Sequence, residues 1–504
     1  LASSVVLAGI GLVYYISDYR TAFVHPHRFD NHVDMLLGNR PGFGWRDFVV
    51  PFQEFAPGEY RPRFLTYFLM LVDLRLRMAA YEFFVPAPGA SISWVFEMTV
   101  TPYLLYRLVG NLTGVRMASV STVALYLSSI GFLSGVSMYF TPGKPLANTT
   151  LAAILFWMSE IERRRPGALF LESQLRERWY VLLVAFVGLF LDEMPIAIFM
   201  LVPVCFPSLF AKQGLSKALI ARNVGFFLLP ALAFLAFVLI VVPLLTQFFY
   251  GYRFDYLSSL LGIGKGAAGA KSFYEGPYGR FGVSNLFHNF SSLFGLSLTP
   301  EWIAPLTRHP SAGGVISGQA TTVAKVAIFA IVAVALARLA RGPQAANLRR
   351  YALACMVFVV FISLVSGRHV PFITGYYYGS AWAVPFSVFA GLSVGMAYKI
   401  GARACMIAAA AVLMIVTTQL QNYASINRAY RDVHNEGMVR HAYKEKLRLA
   451  AQGGTTRSEL NAIWSAWKRG ELATYLSANS VTPGAVFLIV ELQWLERARK
   501  LRAS

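Results

Sequence analysis

The sequence predicts an all-α polytopic membrane protein with about eleven transmembrane helices, interfacial helices in the first outer loop and a small soluble C-terminal domain. Three observations predict it. The 504-residue chain is 56% hydrophobic, with a mean hydropathy of +0.52, too apolar for a soluble protein. Its apolar runs recur at lengths near the roughly 20 residues that a helix needs to cross a bilayer. When those runs are counted as alternating spans, the short basic turns fall on one side.

The first run, 1–16, has no basic leading region and no small-residue cleavage site before Asp18. It reads as a membrane helix rather than a signal peptide. A long outer loop, 17–88, follows. Within it Val33–Phe55 and Arg63–Phe84 mix apolar and polar residues with glycine and proline stops, which suits helices lying in the interface. Spans are expected near 89–110, 117–140, 145–161, 179–191, 195–211 and 223–249. The runs near 179 and 195 are short and either tilt or break at Pro195. A second long loop, 250–320, is rich in Gly, Tyr and Phe. Its GPYGRFG run (Gly276–Gly282) lacks the preceding strand and the lysine of a phosphate-cradling loop, so it reads as a flexible substrate loop. The last spans lie near 321–340, 351–366, 376–397 and 403–419.

Residues 420–504 form the small soluble domain. It is helical from Asn422 to Gln452, broken at Gly453-Gly454, with a short strand at Ala485–Leu492 and a closing basic helix. Span parity puts it outside the cytoplasm. The transmembrane catalytic unit is 1–419.

The net charge of +20 is carried by turns such as Glu162–Arg165, Lys212–Arg222, Arg338–Arg350 and Lys399–Arg403. That pattern marks a cytoplasmic face attracted to anionic lipid, not a nucleic-acid binder. Cys205, Cys355 and Cys405 lie in or beside apolar runs with neither metal nor disulfide spacing, and read as small core residues. The sequons at Asn111, Asn148 and Asn289 read as chance.

Charges at membrane edges are costly unless they serve a substrate, an ion or each other. Asp30 and Asp34 follow the first span, Glu97 lies inside the second, and Asp192-Glu193 falls between the fifth and sixth, all toward the outer face. Asp34 reads as an interfacial residue in water. Arg61 and Arg63 flank Pro62, and Arg368-His369 occupies a short outer turn. Arginine presents a planar fork suited to phosphate oxygens and stays charged in any environment. Acids facing cations across such a cavity suit a phosphate-bearing lipid substrate and a hydroxyl acceptor. His25, His27, Asp30, His32 and Asp34 match no familiar transition-metal spacing. A hard ion, Mg or Mn, on Asp30 and Glu193 fits better and is not required. No Ser-His-Asp or Cys-His signature is present.

The order Asp30-Asn31, Asn39, Asp47-Phe48, Tyr60-Arg61-Pro62 and Thr66 resembles integral-membrane glycosyltransferases of the GT-C class. It looks most like the bacterial relatives of the transmembrane O-mannosyltransferases that act on cadherins. LFLDEMPIAIF (Leu189–Phe199) is similar to that family's acidic "KE" segment, with Glu193 in the acid's place. SGRHVPFITGYYYG (Ser366–Gly379) is similar to its late arginine turn, with Arg368 at the arginine. The family's paired acids are here Asp30-Asn31, its lysine is Asp192, and its late "YLPS" is Val370-Pro371-Phe372-Ile373. The second long loop and the C-terminal domain are not matched.

The resemblance implies a GT-C-like fold, a polyprenyl-phosphate sugar donor, inversion at the sugar carbon and Asp30 as catalytic base. Glu193 positions the acceptor or an ion. Arg61, Arg63, Arg368 and His369 hold the donor phosphate, and Asp192, Glu97, Tyr60 and His32 line the acceptor side. The acceptor is a hydroxyl of a lipid, glycan or protein. Two other readings stay open: a transporter or flippase for a lipid-linked sugar, which would favour paired repeats, and an O-antigen ligase or polymerase using Arg280, His288 and His309.

Overall fold

The computed structural model describes residues 96–129, 132, 143–192, 198–211, 215–251, 253–254, most of 325–357 and 372–420, together with 64–66, 68–69 and 72. Helices α1 (Thr101–Thr113), α2 (Arg116–Ser128), α3 (Gly143–Arg164), α4 (Leu175–Leu191), α5 (Ile198–Cys205), α6 (Lys217–Ala236), α7 (Val242–Tyr250) and α8 (Phe372–Ile400) come first. A further helix, α9 (Ala402–Leu420), follows α8. Residues 328–336 and 348–355 are also helical, and no strand occurs among the described residues. The helices sit on the apolar runs marked above, but α2 ends at Ser128, where Ser129 turns extended inside the expected 117–140 span, and α5 covers only Ile198–Cys205 of the expected 195–211 span. Residues 64–66, 68–69 and 72 are helical within the expected interfacial helix Arg63–Phe84.

Among the described residues three helices are long and apolar enough to cross a membrane: Lys217–Phe248, Ala383–Ile400 and Ala402–Leu420. The first is only 28% buried in its most apolar stretch and the second 78% buried. α6–α7 is therefore peripheral and turns Leu232, Ile240, Leu244 and Phe248 outward. Such a continuous apolar face needs lipid rather than water around it. α8 is central and packs on α2, α3 and α1.

Local sequence explains the helix breaks. α1 and α2 form a tight antiparallel hairpin because Gly114 takes the left-handed φ of 67° that closes α1, its N–H reaching the Gly110 carbonyl. A π-helical turn, Phe96–Val100, leads into α1, and another, Phe237–Val241, leads into α7. Each ends two residues before a proline, Pro102 or Pro243. Proline has no N–H to give the carbonyl four residues back, and the widened turn absorbs that defect.

The bundle has a basic and an acidic end. At the basic end the α3 terminus gathers its neighbours. Glu162 accepts from the Tyr351 hydroxyl at 3.0 Å and from Ser208. Buried Asn223 of α6 accepts from the Leu171 N–H at 2.9 Å and donates to the Leu209 carbonyl at 2.6 Å. The turns holding Arg163–Arg165, Arg222 and Arg349-Arg350 therefore share one end, as the alternation of spans requires. Asn111, the first sequon, donates to Glu160 and Ser159 here, and Asn148, the second, is buried, so neither is placed to carry a glycan. Asn289 lies outside the described residues. All three cysteines are free and buried.

Glu160 is the hub of this end. It is 1% exposed and accepts from Asn111 at 2.8 Å, Arg163 at 2.9 Å and Arg164 at 3.1 Å, with Arg107 at 3.6 Å. The arginines are 42–53% exposed and can return to water, so losing one costs little. The carboxylate is the shared partner. Glu160→Ala is expected to lower stability by about 2 kcal/mol, through lost charge-assisted bonds and an orphaned Asn111 amide. Arg163→Ala should change it by less than about 0.5 kcal/mol. Thermal unfolding of the two purified variants checks the asymmetry.

Candidate functional site

The acidic end is where the first long loop returns to the bundle. Phe64 packs edge-on to Phe237 at 5.6 Å and beside Phe190 at 6.0 Å. The Thr66 hydroxyl donates to the Leu191 carbonyl, the last residue of α4. Gly143, the first residue of α3, fits against both: a Cβ there would overlap Thr66 and the Leu191 carbonyl. Only glycine lets the three chains approach this closely.

Asp192 follows Leu191 directly. It leaves the helix in an extended conformation (φ −158°, ψ 161°) and is 1% exposed. A carboxylate at a helix C-terminus faces the negative end of the helix dipole, an unfavourable place for a merely structural acid.

Glu97 is the second acid at this end. It sits in the π-turn before α1 and is 1% exposed. Thr101, one turn on, pairs with Thr149 of α3 at 2.7 Å and donates to the Phe96 carbonyl at 3.2 Å. Thr149 is six residues along α3 from Gly143, about 9 Å deeper into the bundle. Tyr126 of α2 is fully buried and lies within electrostatic reach of Glu97. Its hydroxyl lies near that of Thr101 without closing a hydrogen bond of normal geometry. The acidic end thus has two levels: Thr66, Gly143 and Asp192 at the rim, and Glu97, Thr101, Tyr126 and Thr149 below.

Of the residues marked from the sequence, Glu97 and Asp192 are the ones described. Asp30, Glu193, Arg61, Arg63, Arg368, His369, Tyr60, His32 and Asp34 lie outside the described residues, as does the Asp30–Glu193 pair considered for Mg or Mn. Among the described residues no group of three or more His, Cys, Asp or Glu is placed to hold a metal. Thr101, Tyr126 and Thr149 were not legible as site residues, since hydroxyls are ordinary in apolar spans. The signal that could have marked α3 is Asn148-Thr149-Thr150, three consecutive polar residues inside an apolar run.

Compared with known protein families, curated proteins and solved structures, the chain matches none.

Proposed function

We propose that this protein is a GT-C-like glycosyltransferase of about eleven spans. It moves a sugar from a polyprenyl-phosphate donor to a hydroxyl of a lipid, glycan or protein. One contact carries the reading: Thr66 bonds to Leu191, 125 residues away. Thr66 closes the Tyr60-Arg61-Pro62 stretch, and Leu191 precedes Asp192-Glu193. Two stretches singled out for their charges and motifs thus meet at one end of the bundle. α8 starts at that end too, because its later residues Gly391 and Gly395 pack on Thr122 and Thr113 toward the basic end. Arg368 precedes Phe372, the first residue of α8, by four positions.

The chemistry is a single displacement. The acceptor oxygen attacks the anomeric carbon from the face opposite the phosphate, and the configuration inverts. The carbon–oxygen bond to phosphate breaks and its electron pair leaves with the phosphate. Asp30 takes the acceptor's proton. Arg61, Arg63, Arg368 and His369 stabilise the charge growing on the phosphate. Glu193 positions the acceptor, with Asp192, Glu97, Tyr60 and His32 lining its side. By the positive-inside rule the basic end faces the cytoplasm and the acidic end faces the periplasm or exterior of a bacterial inner membrane.

Lipid extracted with the purified protein and identified by mass spectrometry tests this directly. A polyprenyl phosphate, with or without a sugar, is the expected species. Bulk phospholipid alone, together with no transfer from added polyprenyl-phosphate sugars, would overturn the proposal.

A further inference from the structure

We infer that Phe237 is a positioning residue for the Arg61–Arg63 stretch and acts through Phe64, so that a turn of the lipid-facing helix holds the rim segment in place. That these arginines hold a donor phosphate rests on the transferase reading. The mechanical link between Phe237 and the segment does not. Phe64 directly follows Arg63. Its ring meets Phe237 edge-on at 5.6 Å and lies tilted against Phe190 at 6.0 Å. Phe237 and Phe190 meet each other edge-on at 5.4 Å, so the three rings close a triangle. Phe186 of α4, at 4.9 Å, and Phe234 of α6, at 5.2 Å, pack edge-on to Phe190 and back it.

One turn carries two surfaces. Phe237 and the buried Val238 face the bundle, whereas Leu239, Ile240 and Val241 are 38–58% exposed on the lipid side. The rim segment thus rests directly on the wall that meets the bilayer. Thr66 ties the segment to the Leu191 carbonyl, and Phe64 ties it to the rings two residues earlier. Thr66 alone would fix the place of the chain and leave it free to turn. The second anchor fixes its direction.

That direction reaches the arginines. Adjacent Cα atoms are about 3.8 Å apart, so Arg63 follows any shift of Phe64. Pro62 locks its own φ, which makes the step from Arg63 back to Arg61 stiff. Filling space would need only apolar side chains of the right size. Edge-on ring pairs set an angle as well as a distance, which is what orienting a segment requires.

The test uses the full chain in detergent, as Phe237→Ala, Phe64→Ala, the double variant, and Phe234→Ala as the control from the same helix. Limited trypsin digestion at the Arg63–Phe64 bond, read by mass spectrometry of the fragments, needs no substrate. Phe237→Ala is expected to speed that cleavage by roughly threefold to tenfold, the range that one aromatic pair supplies. Phe234→Ala should lower the unfolding midpoint and leave the cleavage near the wild-type rate. In a transfer assay Phe237→Ala should raise the donor KM by a similar factor with kcat near wild type, and Phe237→Tyr, which keeps the ring, should restore it. In the Phe64→Ala background Phe237→Ala should add nothing to KM, because its effect passes through that ring. Unchanged cleavage in Phe237→Ala overturns the inference, as do additive KM effects in the double variant. Faster cleavage in Phe237→Ala, with no sugar transfer by the wild type, upholds the mechanical link and counts against the transferase reading. If Phe237→Ala does not fold, Phe237→Leu, which keeps most of the apolar volume without the ring, takes its place with the same expected outcomes.

Discussion

Asp30→Asn is expected to fold, reach the membrane and bind the lipid donor, yet transfer sugar at least about a hundredfold more slowly. Asparagine is nearly isosteric with aspartate but cannot accept the acceptor's proton. A positioned general base typically contributes about a hundredfold to ten-thousandfold. Asn31 follows Asp30, so the adjacent position offers no carboxylate to take over. Asp34→Asn should change turnover far less, because that acid reads as interfacial. A transfer assay with fluorescent donor lipid, run beside a donor-binding measurement on the same preparations, separates the roles. Wild-type turnover in Asp30→Asn would sink the mechanism and bring the ligase or transporter readings forward. Loss of donor binding as well as turnover would make Asp30 structural or an ion ligand, and would shift the base to Glu193 or Glu97.

Gly391→Val is expected to destabilise the bundle by about 3 kcal/mol or more, at the upper end of overpacking effects. Gly391 lies where α8 crosses α2. A Cβ there would overlap the Thr122 hydroxyl and come within 3.0 Å of the Ala118 carbonyl. Thr122 cannot simply turn away, because its hydroxyl donates to that same carbonyl at 2.9 Å. The obstruction includes backbone, so relief requires the helices to separate, and α8 also packs on α1 and α3. Gly225→Ala is the matched control. It lies in α6, where an added Cβ meets nothing within 4 Å. That change should be neutral or stabilise by up to about 1 kcal/mol through helix propensity. Midpoints of unfolding in detergent for the two variants give the comparison, and a Gly391→Val midpoint within a degree of wild type would show that the α2–α8 seam yields.

Particular residues show how far the sequence could be read. Pro102 and Pro243 announce local defects, and a π-turn precedes each. Gly114 marks the α1–α2 turn, and the basic turns after α3 and before α6 foretell a shared end. Each signal acts within a few residues of its effect. The contact of Thr66 with Leu191 could not be read this way, because it joins chain positions 125 apart through the fit of Gly143 between them. Glu97 was legible as an acid in an apolar run, but the Thr101–Thr149 pair one turn on was not. A threonine in a membrane helix is ordinary until packing sets a second hydroxyl against it.

The sequence by itself determined that the described residues are helical, that three of their helices are apolar enough for a membrane and that the basic turns after α3 and before α6 share an end. Hydropathy, proline and charge are properties of short segments, and a bilayer leaves a backbone little choice but to satisfy its own hydrogen bonds in helices. Only the tertiary structure decided which faces of those helices meet. It put α8 at the centre and α6–α7 at the edge, joined Thr66 to the Leu191 carbonyl just before Asp192, and buried both Glu97 and Tyr126. Those outcomes depend on the rotation and depth of each helix against its neighbours. Small residues such as Gly143 and Gly391 set both by permitting close approach at one position and not the next, and hydropathy carries no record of that choice.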